Sequence, residues 1–235
     1  MPEGQVLVTG ASRGIGAAIA SELARRGYSV VGLSRTGKVP AGRGIACDVG
    51  DESALVAAIA EVAVAGPIAG LVNNAGLHTS AKSHELEVED YEFILRTNAT
   101  SVMIASREVF PHLCASGGGS IVNIGSFFDK VGVANNLAYS ASKAAIGAMT
   151  RVLAVEWARH GISVLNVAPG YVETDLSPEF WGKSSAQKWL EKRVPVGRPG
   201  RAEEVARLVG ALFDEKISFL TGETIYLDGG HGINH

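Results

Sequence analysis

Residues Thr9–Gly16 read TGASRGIG, and the reading of the whole chain turns on where this stretch sits. An apolar run, Gln5–Thr9 (QVLVT), leads into it and reads as a buried strand. A helical pattern leads out of it. Ile15, Ala18, Ile19 and Leu23 share one face over Gly14–Arg26, and Gly27 follows as a stop signal. Gly10, Gly14 and Gly16 are spaced G-x3-G-x-G. Between a strand and a helix, such glycines permit a tight turn and close backbone approach, and they aim a helix N-terminus at a pyrophosphate. A glycine loop alone is a weak signal; its placement in a βαβ unit gives it weight.

The pattern repeats outward. Strands are expected at Tyr28–Leu33, Gly44–Cys47, Ile68–Val72, Ser120–Ile124, Ile162–Val167 and Thr224–Leu227, and helices at Glu52–Ala65, Val88–Ala115, Tyr139–His160 and Arg201–Phe213. The strands are continuously apolar rather than alternating, as expected where helices cover both faces. The expected fold class is α/β: a seven-stranded, doubly wound parallel sheet with right-handed crossovers, as one domain over residues 1–235. No composition break or internal repeat argues otherwise. The least regular stretch, Tyr171–Gly200, holds Phe180, Trp181 and Trp189 amid charges and small residues and is expected to form a lid.

Composition narrows the function classes. The 46% apolar content of these 235 residues suits one α/β domain with a substantial core. A net charge of −3 gives no electrostatic case for binding nucleic acid. Cys47 and Cys114 are isolated, so two buried thiols in a reducing compartment are expected rather than a disulfide or zinc site. The histidines are scattered and imply no metal. MPEGQVLVTG lacks a basic start and a long apolar run, and no window approaches about eighteen apolar residues. A cytoplasmic protein with no membrane or nucleic-acid partner is the expectation.

Further motifs follow in order. NNAG spans Asn73–Gly76, just after the fourth expected strand, and Asn98 lies in the next helical region. Ser126 follows the fifth strand, thirteen residues before Tyr139, and Tyr139 and Lys143 form YxxxK. Pro169 and Gly170 follow the sixth strand, with Thr174 after them, and LDGG ends the chain's last strand at Leu227–Gly230. With TGASRGIG, these motifs cover nearly the whole chain and resemble the short-chain dehydrogenase/reductase family, in its single-domain branch. The overall look is similar to 3-oxoacyl-[acyl-carrier-protein] reductases and related broad secondary-alcohol dehydrogenases.

Four residues apart on a helix, Tyr139 and Lys143 share a face. A lysine cation near a phenol is expected to lower the phenol's pKa from its usual value of about 10. The resemblance implies that Tyr139 is the general acid/base and that Lys143 also bonds the nicotinamide ribose. It implies that Ser126 bonds the substrate oxygen and that Asn98 holds a water linking Lys143 to solvent. For the cofactor it implies Gly10, Ser12, Arg13, Gly14, Ile15, Gly16, Ser34, Arg35, Asp48, Val49, Asn74, Ala75, Gly76, Tyr139, Lys143, Pro169, Gly170, Val172 and Thr174. Asp48 reads equally well as an adenine contact or as a strand-end turn residue. The chain departs from many relatives at Gly125, where they carry a serine, and Phe127 and Phe128 then read either as pocket lining or as core.

From Leu23 to Cys47 there is no acidic residue, while Arg25, Arg26, Arg35, Lys38 and Arg43 are present. A site for NAD usually has an acid just past the second strand; here Ser34 and Arg35 stand there. Arg13 and Arg35 are expected on a 2′-phosphate, and Arg25 and Arg26 at the solvated surface, so NADP(H) is expected over NAD(H).

The expected activity is hydride transfer between NADP(H) and a ketone or secondary alcohol. The substrate stays open among a carrier-bound 3-oxoacyl chain, a sugar, a steroid and a small ketone. Tyr171–Val194 and His78–Ser83 are expected to border its pocket, with Leu176, Phe180, Trp181 and Trp189 offering an apolar or aromatic wall. The resemblance implies a homodimer or, more often, a homotetramer built through helices such as Tyr139–His160. A non-catalytic NADP-sensing regulator on this fold is the rival reading; such proteins tend to lose the Tyr or Lys that this chain keeps. An extended-branch epimerase or dehydratase would need a larger C-terminal domain. Enoyl reductases of the related family space Tyr and Lys further apart.

Overall fold

The computed structural model describes residues 4–173 and 184–234. Its strands are β1 (Gln5–Thr9), β2 (Ser29–Ser34), β3 (Arg43–Ala46), β4 (Ile68–Asn73), β5 (Gly119–Ile124), β6 (Ile162–Pro169), β7 (Val172–Glu173), β8 (Gly200–Arg201) and β9 (Thr224–Leu227). Seven of them form a parallel sheet in the order β3-β2-β1-β4-β5-β6-β9, while β7 and β8 pair separately. The helices are α1 (Gly14–Arg25), α2 (Glu52–Ala65), α3 (Val88–Leu95), α4 (Ser101–Ala115), α5 (Leu137–Trp157), α6 (Ser184–Arg193) and α7 (Ala202–Glu215). This is the expected Rossmann architecture.

Successive strand residues enter different cores. Val6 and Val8 join Ile19, Leu23, Val205 and Phe213 on the face covered by α1 and α7. Leu7 joins Leu55, Ile59, Val109 and Leu113 on the face covered by α2 and α4. Both strand faces are therefore apolar, which is why the strands show no alternation. Each fully buried Leu, Ile or Val contributes about 1.5–3 kcal/mol.

The chain leaves β1 for β2 on one side and returns to β4 on the other, opening a crevice at the strands' carboxyl ends. Register brings Thr9 level with Leu33, and Val8 level with Val72, so TGASRGIG, Ser34–Arg35 and NNAG all meet there. A buried amide ladder crosses the sheet beside this crevice. Asn73 aligns with Asn123, and Asn123 with Asn166. Asn73 Nδ2 donates to Asn123 Oδ1 (2.9 Å), Asn123 Nδ2 to Thr150 Oγ1 of α5 (2.9 Å) and Asn166 Nδ2 to Thr224 Oγ1 of β9 (3.2 Å). A one-residue slip would move these amides to the opposite face, so the ladder pins α5 and the strand register together.

Three expectations change. The single helical region Val88–Ala115 is α3, a π-helical turn at Arg96–Thr100, and α4. The irregular stretch Tyr171–Gly200 contains α6 and the strand β7, with β8 at its end. Cys47 is buried as expected, but Cys114 is only partly so.

Candidate active site

The glycine loop closes for two local reasons. Gly10 holds a φ of +67° and Gly14 one of +56°, in the left-handed region that favours glycine. At Gly16 the limit is space: a Cβ there would lie 2.3 Å from both the Gly10 carbonyl oxygen and Asn74 Nδ2. Asn74 is itself fixed, donating through Nδ2 to Thr9 O (2.9 Å) and Gly10 O (3.3 Å) and through its backbone to Thr9 Oγ1 (3.0 Å). Helix α1 begins after Arg13 with no side-chain cap and no acidic residue in its first turn. Its first amides and positive dipole end are left for an outside anion.

A cavity of about 720 Å³ runs from this loop to α5. Gly10, Ser12, Arg13, Ile15, Gly16, Ser34, Arg35, Asp48, Val49, Asn74, Ala75, Gly76, Ser126, Tyr139, Lys143, Pro169, Gly170 and Val172 all line it. Of the residues singled out in the sequence, Gly14 shapes the loop without lining the wall, Asn98 lies behind it, and Thr174 falls outside the described residues. Leu176, Phe180 and Trp181 fall outside them as well.

Arg13 and Arg35 are exposed on the wall, and among the described residues neither has an acidic partner. Arg25 and Arg26 pair with Glu22, and Arg26 also with Asp214; Arg43 pairs with Glu61. Ser34 uses its hydroxyl locally, donating to Lys38 O (3.2 Å). Asp48 lines the cavity and also holds its own turn, accepting from Gly50 N at 2.9 Å. An open helix end, a glycine cradle and free guanidinium groups fit the phosphates of a nicotinamide dinucleotide.

At the other end, Lys143 Nζ donates to Ile124 O (2.8 Å) and lies 5.6 Å from the centre of the Tyr139 ring. Burial pushes the Lys143 amine down to about 8, with Asp129 opposing the shift. Tyr139 departs from expectation. Burial raises the phenol's pKa, and the Ser126 hydroxyl beside it pulls back without cancelling the rise. Loss of water dominates over the lowering expected from Lys143, whose amine donates to the Ile124 carbonyl. Ser126 is buried and accepts from Phe128 N at 3.3 Å.

Asn98 sits fully buried in the π-helical turn. Its Oδ1 accepts from Leu77 N (2.8 Å), and its Nδ2 donates to Leu77 O (2.8 Å) and to Ser142 Oγ (3.1 Å). A Cβ on Gly76 would lie 3.4 Å from Asn98 Oδ1 and 3.7 Å from Lys143 Nζ, so both side chains border that glycine. The π turn thus carries an amide that reaches across to the loop after NNAG, a placement typical of functional π-bulges.

The aromatic pair divides its roles. Phe127 is buried and packs edge-on against Tyr171 (4.9 Å) and His231 (5.1 Å). Phe128 is partly exposed and meets the Tyr139 ring at 5.4 Å. Trp189 meets Tyr171 at 5.1 Å. Gly125 has a steric reason: a Cβ there would lie 2.6 Å from Asn166 Oδ1.

Sequence reasoning missed wall residues Leu33, Cys47, Gly50, Asp51, Leu77 and Ile124. Each lies within two residues of a chosen one, and the rule that parallel sheets bind at carboxyl ends would have included them. Phe93, Arg96 and Thr97 reach the wall from α3 and the π turn, and nothing local marks them.

Residues 10–232 match the family model described as enoyl-(acyl carrier protein) reductase. Gluconate 5-dehydrogenase of Gluconobacter oxydans (strain 621H) is 34% identical, over 96% of this chain and 93% of that protein. The 3-oxoacyl-[acyl-carrier-protein] reductase FabG of Escherichia coli (strain K12) is 35% identical, over 97% of each chain. Among solved structures, a gluconate 5-dehydrogenase from Burkholderia cenocepacia J2315 in complex with NADP and tartrate matches with a TM-score of 0.92 and 31% identity, over 100% of this chain and 97% of that one.

Proposed function

The chain belongs to the short-chain dehydrogenase/reductase family and is an oxidoreductase that transfers a hydride between a nicotinamide cofactor and a ketone or secondary alcohol; on that premise we propose that it prefers NADP(H) and works through Tyr139, Lys143, Ser126 and Asn98. The observation that carries the reading is that Tyr139, Lys143 and Ser126 face the same cavity as the uncapped end of α1.

When bound, the nicotinamide supplies or takes the hydride. Tyr139 gives a proton to the carbonyl oxygen in reduction and takes it back in oxidation. A phenol raised by burial is fully protonated near neutrality, which suits the reducing direction. Ser126 Oγ donates to the same oxygen and stabilises charge growing there. Lys143 has one N–H on Ile124 O and two more to offer the ribose and the phenolate left by proton transfer. Asn98, behind Gly76, holds the water through which Lys143 exchanges protons with the outside. Gly10, Ser12, Gly14, Ile15 and Gly16 hold the pyrophosphate, Asp48 and Val49 the adenine, Asn74, Ala75 and Gly76 the ribose side, and Pro169, Gly170, Val172 and Thr174 the nicotinamide. Arg13 and Arg35 take the 2′-phosphate in charge-assisted bonds.

The protein is one NADP-binding domain with a substrate lid at about residues 171–200, working in the cytoplasm. Met103 on α4 (41% exposed) and Val152 and Val155 on α5 (54% and 81%) leave an apolar surface that suits a homodimer or homotetramer. The relatives named for gluconate and for 3-oxoacyl thioesters bracket the substrate: a hydroxylated carbon chain or a carrier-bound one.

The test is NADPH oxidation against a panel of ketones and 3-oxoacyl thioesters. Tyr139→Phe should lower kcat at least about a thousandfold while NADPH still binds. Arg35→Ala should weaken NADPH about tenfold and leave NADH unchanged. Full activity in Tyr139→Phe removes the phenol from the chemistry, and equal affinity for both cofactors refutes the preference. The Lys143 ammonium is the working form, so kcat/KM for reduction should be level below about pH 8 and fall as pH rises through it. A profile flat to about pH 10 would remove that charge from the mechanism.

A further inference from the structure

His78 stands on the cavity wall beside the reacting groups and takes no part in the steps above. Its imidazole is held on three sides. Nε2 lies 2.6 Å from Asn136 Oδ1, the ring stands edge-on to Tyr139 at 4.8 Å, and it stands edge-on to Phe128 at 6.2 Å. The loop carrying it is fixed at both ends. Leu77 is bonded through both backbone groups to Asn98, while Ala81 N and Ser80 Oγ donate to Asn135 O (2.9 and 3.2 Å). Asn135 adopts a φ of +65°, a left-handed conformation that asparagine tolerates better than most residues.

Asn136 also sets the tautomer. Its Nδ2 donates to Ala134 O at 2.7 Å, so Oδ1 is the atom facing the imidazole, and Nε2 must carry the hydrogen. In the neutral ring Nδ1 is then a lone-pair acceptor, with no partner among the described residues. His78 is exposed on the cavity wall, so this acceptor is open to a hydrogen-bond donor on a molecule bound one ring away from the phenol.

We propose that His78 is a specificity-determining residue that accepts a hydrogen bond from a hydroxyl next to the reacting carbon, so that the enzyme selects α-hydroxy ketones and vicinal diols over plain ketones. This rests on the dehydrogenase reading above. Asn136 is the positioning residue, acting through the imidazole.

The test measures kcat/KM for acetoin against butanone, and for adipoin (the α-hydroxy derivative) against cyclohexanone, in wild type, His78→Leu, His78→Gln, Asn136→Leu and Asn136→Asp. The readout is the hydroxylated-to-plain ratio, in which differences in active fraction cancel; comparing variants cancels the hydroxyl's own activation of the carbonyl. His78→Leu should lower the ratio about tenfold, through KM for the hydroxylated partner. His78→Gln, which keeps an acceptor, should restore part of it. Asn136→Leu should lower the ratio, and Asn136→Asp, which still accepts from Nε2, should keep it. A ratio unmoved in His78→Leu overturns the proposal and leaves the dehydrogenase reading standing. Absence of turnover of every compound with either cofactor overturns both.

Discussion

Helices α1 and α2 each follow a strand of the same parallel sheet, yet they begin in opposite ways. At α2, Asp51 Oδ1 accepts from Ala54 N (3.2 Å) and from Ser53 Oγ (2.7 Å), and Glu52 stands in the first turn. These side chains satisfy one free amide and the dipole from within, and the hydrogen bonds from Ser53 and Ala54 hold the Asp51 carboxyl below its ordinary range. At α1 the residue before the helix is Arg13, which caps nothing, and the first turn has no acid. A helix end meant for an external anion has to be left without an internal one. The first helix gives up local stability that the second retains, and on the proposed reading the cofactor's phosphates supply it.

This contrast can be attacked from both ends. Gly16→Ala should do the most damage, because its Cβ meets the Gly10 carbonyl and the Asn74 amide at 2.3 Å. Either α1 shifts or Asn74 leaves Thr9, so NADPH affinity should fall about a hundredfold and stability by about 2 kcal/mol. Affinity within threefold of wild type by fluorescence titration would show that the loop yields. Arg13→Asp would give α1 the kind of start α2 has. It should raise Tm by about 2 °C and weaken NADPH about thirtyfold; a rise in both would break the comparison. Asp51→Ala should have the smallest effect, lowering Tm by about 3 °C at neutral pH in calorimetry. The folded-state pKa of Asp51 is depressed, so this cap contributes above the unfolded carboxyl pKa and is lost as pH falls through the folded value. The variant's deficit should therefore shrink in acid.

What could be read from the chain alone was whatever depends on neighbours in sequence. Glu52–Ala65 and Gln5–Thr9 keep their expected ends, because the helix stops at Gly66 and the strand runs into the glycine turn. The glycine loop, NNAG, Ser126 and Pro169–Gly170 were legible because each follows the end of a strand, and Tyr139 and Lys143 because their spacing puts them on one helix face. The π turn was not legible. RTNAT has nothing local against an ordinary helix, and Asn98 is bonded to Leu77, twenty-one residues away. The phenol's pKa went the other way for a similar reason: spacing places a lysine one turn from Tyr139, but only the packed fold shows how little water surrounds the pair and that the amine is tied to Ile124 O. His78 and Asn136 lie in loops without periodicity, fifty-eight residues apart, and their pairing is purely tertiary.

The carboxamide of Asn98 engages both the N–H and the C=O of Leu77, imitating for one residue what a neighbouring strand would do. A single side chain therefore welds the scaffold behind the lysine to the segment that borders the incoming molecule. An alteration at position 98 therefore acts at once on helix α5, through Ser142, and on the loop after NNAG, through Leu77.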